Sequence, residues 1–159
     1  MTVDMLDFLR DLDQERYRAA IIHTKPEKGP AVTLFAKKAC QVSGGKYLDL
    51  LDFFIQSKEL SQTIDSFGPD KLRKLLIEQS QSCRLLLVDR VDFLLDTWSR
   101  SERQDFFRMI RDQWDGYRDG MKAKLIVCLQ TSNEIEALKM QDSQGESRVR
   151  QLTDFNDIL

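Results

Sequence analysis

Four short segments hold the side chains whose types and spacing could do chemistry. The first is the loop His23-Thr24-Lys25-Pro26-Glu27-Lys28-Gly29-Pro30, which follows a short apolar run. Thr24, Lys25, Lys28 and Gly29 offer a hydroxyl, two ammonium groups and an unhindered backbone amide, the donors that hold a phosphate at a strand-to-helix turn. The second is Arg84-Leu85-Leu86-Leu87-Val88-Asp89 with Arg90-Val91-Asp92 behind it. A buried strand that ends in Asp89 can present a carboxylate to hydrated magnesium, and Asp92 is near enough in sequence to polarise a water. The third runs from Lys124 to Gln130 and on through Thr131-Ser132-Asn133, where Gln130, Thr131 and Asn133 are polar groups at another strand end. Ser132 or Thr131 serves equally well there as a helix cap. The fourth is Glu146-Ser147-Arg148-Val149, with Arg148 just ahead of the last apolar segment. His23 is the only histidine and has no cysteine or acid at ligand spacing, which speaks against zinc sites and histidine-based triads.

The elements that must position these groups follow from apolar spacing. Val3, Met5, Leu6, Leu9 and Leu12 recur at helical intervals and predict an amphipathic opening helix from Met1 to Arg18, expected on a sheet edge. Ala19 to Ile22 reads as a strand. Pro30 then opens a helix through Val32, Leu34, Phe35 and Ala39 to about Val42, ended by Ser43-Gly44-Gly45. Lys46 to Leu51 is a second strand, followed by a largely helical connection broken near Phe67-Gly68-Pro69 and resumed from Asp70 to Gln79. Arg84 to Asp89 reads as a central strand buried on both faces. Arg103 to Tyr117 is a helix with Phe106, Phe107, Ile110 and Trp114 inward; Lys124 to Gln130 is a strand; a helix with Ile135 and Leu138 leads to a last strand from Val149 to Leu152. Strands alternating with helical crossovers predict a three-layer, doubly wound parallel sheet of about five strands. In such sheets ligands bind outside the carboxyl ends of the strands, which brings the first three segments to one rim.

A working phosphate loop of the P-loop type has glycine, four residues, glycine, lysine and serine or threonine, because bare amides cradle phosphates while lysine and hydroxyl meet charge and magnesium. Aligning Gly29 with the second glycine puts Thr24 at the first, Pro30 at the lysine and Ala31 at the hydroxyl. A shift of one puts Lys25 and Pro30 at the glycines, and Ala31 and Val32 at the functional pair. Proline donates no N–H at all. Lys25 and Lys28 either attract an anion or are solvated lysines of a connecting loop. LLLVDRVDFLLD resembles the Walker B segment of P-loop NTPases, with Asp89 at the metal-side aspartate. Arg90 stands where ATPases with an extra central strand carry glutamate; the alternative is an exposed strand-end acid with a basic neighbour. LIVCLQTSNEI resembles the sensor strand of AAA-type ATPases, which places Gln130, Thr131 and Asn133 near a terminal phosphate. Arg148 falls where some AAA-type subunits carry an arginine that reaches a neighbour's nucleotide, although a surface arginine accounts for it as well.

Together these segments resemble the BrxF family, small P-loop components of type 3 BREX phage-defence systems, over nearly the whole chain. The resemblance implies an AAA-like P-loop NTPase core, a bacterial cytoplasmic setting, and partners that include a large ATPase, a methyltransferase and a phosphatase-like protein that together mark host DNA and block phage. The chain stops at Leu159 after the core, so a core without a helical lid domain is expected. ATP and magnesium, the latter on Asp89, are the cofactors the family implies; KPEKGPAV departs from the glycine-lysine-threonine pattern and puts hydrolysis in question.

Composition fits this picture. The chain has 159 residues, a length that suits one domain spanning 1–159. Its 42% apolar and 31% charged content is that of an ordinary globular protein, and the net charge of -2 lacks the basic excess of a tight nucleic-acid binder. Cys40, Cys83 and Cys128 are widely spaced among apolar neighbours, as reduced buried thiols are. No stretch approaches the roughly 18 apolar residues that span a bilayer, so a cytoplasmic protein with no membrane contact is expected. Trp98, Trp114, Phe106 and Phe107 sit at core-packing positions. Three readings follow: a degenerate subunit acting through protein contacts, as a homo-oligomer or with an ATPase; a true ATPase using Lys25 or Lys28, Asp89 and Asp92; and a DNA-contacting subunit, for which Arg100, Arg103, Arg108, Arg111 and Arg118 would have to share one face.

Overall fold

The computed structural model describes residues 2–118 and 120–156. Five strands, β1 (Ala19–Thr24), β2 (Lys46–Asp49), β3 (Leu85–Asp89), β4 (Lys124–Gln130) and β5 (Val149–Gln151), form one sheet in the order β2-β3-β4-β1-β5. All neighbours run parallel. Helices α1 (Met5–Asp13), α2 (Gly29–Ser43), α3 (Leu50–Gln56), α4 (Lys58–Gln62), α5 (Pro69–Ser80), α6 (Asp92–Leu95), α7 (Arg100–Asp112) and α8 (Asn133–Ala137) make the connections.

Alternation along the strands builds two cores. Leu86 and Val88 of β3, with Leu125 and Val127 of β4, face α3, α5 and α7. Leu85 and Leu87, with Ile126 and Cys128, face α1 and α2. The sheet therefore has helices on both faces, the three-layer α/β arrangement that fully apolar parallel strands require. The connection leaving β1 crosses one face, while those leaving β3 and β4 cross the other. That divergence opens a crevice at the carboxyl ends, where ligands of such sheets bind.

The local corrections have local causes. Met1 lies outside the described residues, and α1 begins at Met5 because the Asp4 carboxylate caps it by accepting the Asp7 N–H at 3.1 Å. Its buried residues Met5, Phe8, Leu9 and Leu12 pack with Ala20, Ile22 and Ile126, so α1 covers a sheet face and not an edge. β2 stops at Asp49, two residues before the expected end, because Asp49 accepts the Asp52 N–H at 3.1 Å and starts α3 at once. α7 starts at Arg100, three residues early, under a reciprocal Ser99–Glu102 capping box. It ends at Asp112 and not Tyr117, since Asp115 forms an antiparallel bridge with Tyr17. Trp98 and Trp114 are buried and donate to the carbonyls of Phe67 and Ala123, both at 2.8 Å, which makes them core residues. The thiols are unpaired: Cys40 and Cys128 are buried, and burial raises the Cys40 thiol to about 11. Among the described residues no helix is long and apolar enough to cross a membrane.

Candidate functional site

Asp89 ends β3 and is 2% exposed, so it is not the exposed strand-end acid of the alternative reading. Three donors from its surroundings occupy most of its roughly four acceptor sites. Oδ2 accepts the Thr33 hydroxyl at 2.6 Å and the Tyr47 phenol at 2.8 Å, and Oδ1 accepts the Arg90 N–H at 2.9 Å. Burial first, and the bond to Asp89 second, push the Tyr47 phenol far up, so it is a fixed proton donor. Arg90 adopts φ 56, a left-handed conformation that costs a residue with a Cβ on the order of 1 kcal/mol. In that conformation its amide reaches the Asp89 carboxylate and its guanidinium reaches Asp49, where Nε donates to both oxygens at 2.9 Å and Nη2 also bonds. Burial opposes ionisation of Asp49, but hydrogen bonds from Arg90 and the Asp52 N–H outweigh it and hold the carboxyl below its ordinary range.

Thr33, Asp49, Asp89 and Arg90 line a cavity of about 660 Å³ at the carboxyl ends of β1, β3 and β4, and Tyr47 lies outside its lining. Of the sequence candidates, Thr24, Lys25, Gly29, Asp89 and Asp92 are on its wall, together with Gln130. Asp92 accepts the Gln130 N–H at 2.9 Å, and burial raises its carboxyl despite that bond. It fastens α6 to the end of β4. Lys28, Thr131, Asn133 and Arg148 lie outside the cavity lining. The Thr131 amide donates to the Thr24 carbonyl at 2.9 Å and its hydroxyl lies 2.8 Å from His23 Nδ1, so Thr131 stitches β1 to β4. Burial lowers the His23 imidazole and keeps it neutral. Ser132 is the cap of α8, accepting the Ile135 N–H at 3.2 Å, which leaves Asn133 as the exposed first residue of that helix.

Arg148 is not a surface arginine. It is 4% exposed and donates to the carbonyls of Ala19 at 2.8 Å, Arg111 at 2.6 Å and Gln141 at 3.1 Å. Burial lowers its pKa. A guanidinium carries five donors and satisfies several carbonyls at once, so this one ties β1, α7 and the approach to β5 together.

The loop after β1 is shorter than a phosphate cradle. A 3-10 turn covers Pro26–Lys28 and α2 follows without a gap. The Lys28 N–H donates to the Lys25 carbonyl at 2.9 Å, and the Gly29 N–H to the Pro26 carbonyl. Pro30 has none to give. The hydroxyl beside Asp89 comes from Thr33, a full turn inside α2, not from the Ala31 or Val32 that either alignment selects. Thr33, Lys37, Tyr47 and Asp49 are therefore site residues that sequence reasoning missed. Tyr47 and Asp49 share a face of β2 by period-two alternation, but only the Asp49–Asp89 register reveals that the face adjoins β3. Three cations, Lys25, Lys37 and Arg90, face three acids, Asp49, Asp89 and Asp92, so the cavity has no excess positive charge.

The arginines of the DNA reading are divided. Arg100, Arg108 and Arg111 line a groove beside α8, Arg103 pairs with Glu134 at 2.8 Å, and Arg118 lies in a separate pocket. Among the described residues no group of three or more His, Cys, Asp or Glu side chains is arranged to hold a metal ion. The fold and site define an α/β protein with an all-parallel five-stranded sheet and a polar cavity at its carboxyl rim. Comparison with known proteins supplies no relative: no protein-family model matches the chain, and no curated protein matches it.

Proposed function

We propose that this chain is a P-loop-type accessory subunit that works through contacts with other proteins and turns over nucleotide weakly or not at all, as the resemblance to the BrxF family implies. The donor accounting after β1 carries the reading. A phosphate loop needs backbone N–H groups free to point at the ligand. Here two of them are spent on the loop's own carbonyls and the next residue is proline.

Two observations support the P-loop kinship itself. β4 lies between β1 and β3, the extra central strand of the ATPases that the sequence resembles. The Thr33–Asp89 hydrogen bond joins a hydroxyl one turn inside α2 to a strand-end aspartate, a pairing similar to that of the two groups that share magnesium in P-loop NTPases. That pair also favours the second reading, an ATPase in which Asp89 and Thr33 hold the metal. Tested against magnesium and a triphosphate, the residues present do not fit. Asp89 already accepts three hydrogen bonds, Val32 stands beside Thr33 where the lysine belongs, and the cavity charges cancel.

Steady-state ATP turnover with magnesium decides between the readings. The purified chain is expected to give no rate above the enzyme-free background, with or without Asp89→Ala. A magnesium-dependent rate that Asp89→Ala abolishes would establish the ATPase.

A further inference from the structure

Three arginines from distant parts of the chain meet at the opposite, amino-end rim of the sheet. Arg16 comes from the segment between α1 and β1, Arg73 from α5, and Arg118 from the turn after α7. They line a polar pocket of about 330 Å³ with Asp112 and Asp115. Both acids are already engaged. Asp115, 3% exposed, accepts Arg16 Nε at 3.0 Å and Nη2 at 2.9 Å on Oδ2, and the Tyr117 N–H at 2.9 Å on Oδ1. Arg118 Nε stands 3.9 Å from the same Oδ2, and Asp112 is paired with Arg111 at 3.1 Å.

Arg73 is left over. It lines the pocket and its guanidinium makes no hydrogen bond or ion pair with any described residue, its Nε being buried as well. A buried donor of a charged group loses its water without recovering a partner, which costs more than an ordinary hydrogen bond contributes. Gathering like charges also costs energy, which an anion between them would return. Guanidinium groups are the donors that match tetrahedral oxyanions, because their planar fork meets two oxygens together.

We propose that this pocket binds a phosphate-type oxyanion, with Arg73 as its principal donor, Arg118 beside it, and the Arg16–Asp115 pair as a fixed wall. The anion arrives either free or as the phosphate of a nucleotide. Tyr117, 72% exposed with its ring 5.4 Å from the Arg16 guanidinium, offers a stacking face for a base next to the pocket. The site is independent of the carboxyl-rim cavity and of the function proposed for it.

Calorimetric titration of the full chain with inorganic phosphate, and separately with AMP, at low ionic strength tests the proposal. Arg73→Gln is expected to weaken phosphate binding by about tenfold or more, the loss of one charge-assisted contact, with the melting temperature maintained. Arg73→Lys should recover part of the affinity, since it keeps the charge without the fork. Lys25→Ala, in the other cavity, should leave it unchanged. Equal affinities for phosphate and AMP indicate the free ion; tighter AMP binding lost in Tyr117→Ala indicates the nucleotide. An absence of phosphate binding, or binding indifferent to Arg73→Gln or dependent on Lys25, overturns the proposal.

Discussion

The two rims of the sheet use their charges in opposite ways. At the carboxyl rim, where ligands of parallel α/β sheets bind, three cations face three acids, the central Asp89 accepts three hydrogen bonds, and Arg90 is committed to Asp49. At the amino rim, among the described residues, Arg16, Arg73 and Arg118 face two acids that are already engaged, and a guanidinium nitrogen is buried without an acceptor. The difference shows that a cavity's position in a fold does not fix its chemistry. Volume alone would favour the carboxyl rim, at about 660 Å³ against about 330 Å³, whereas the guanidinium without a partner among the described residues is at the other end.

That contrast can be broken first through the scaffold. Arg148→Met removes the donors that hold the carbonyls of Ala19 and Arg111 beside the amino rim. It should destabilise the chain by about 3 kcal/mol in urea denaturation, because buried carbonyls lose their partners. An unchanged midpoint would return Arg148 to the list of ligand-facing residues.

Next in size is the Asp89 network. Asp89→Ala leaves the Thr33 hydroxyl and the Tyr47 phenol without their acceptor and should cost about 2 kcal/mol, while Asp89→Asn, which keeps an oxygen, should cost less. If Asp89 instead stands ready for a metal, both variants will melt like the parent.

At the amino rim, the bond from Arg16 holds the Asp115 carboxyl below its ordinary value, with help from the Tyr117 N–H. A depressed folded-state pKa gives stability that is present above the ordinary carboxylate value of about 4 and is lost as pH falls through the depressed value. Stability should therefore fall in acid, and Asp115→Asn should flatten that limb of the pH–stability curve. Asp92 carries the reverse sign, because burial raises its carboxyl. Asp92→Asn keeps an oxygen for the Gln130 N–H and should add a few tenths of a kcal/mol at neutral pH, a gain that shrinks as acid protonates the native carboxyl.

Much of the framework was legible in the sequence because its signals are local. The continuous aliphatics of β3 and β4 announce strands buried on both faces, and Pro30 marks the start of α2 within a residue. The rim holding Thr24, Asp89 and Gln130 follows from strand ends alone. The partners of Asp89 were hidden, since Thr33 lies 56 residues away and Tyr47 42 residues away in sequence. Only the packing of α2 and the neighbour of β3 bring them there. Arg148 was misread for a related reason: its acceptors are backbone carbonyls, which every residue has and no motif marks. The amino-rim pocket is the extreme case, built from residues 16, 73 and 118 with no shared pattern.

We propose that the carboxyl-rim cavity does not bind a nucleotide. Calorimetric titration with ATP and magnesium, run on Arg73→Gln to weaken the amino-rim site, separates the two rims. No binding at millimolar nucleotide, unchanged by adding Asp89→Ala or Lys25→Ala, is the predicted result. Saturable, magnesium-dependent binding that either added substitution removes would show a working nucleotide site at the carboxyl rim.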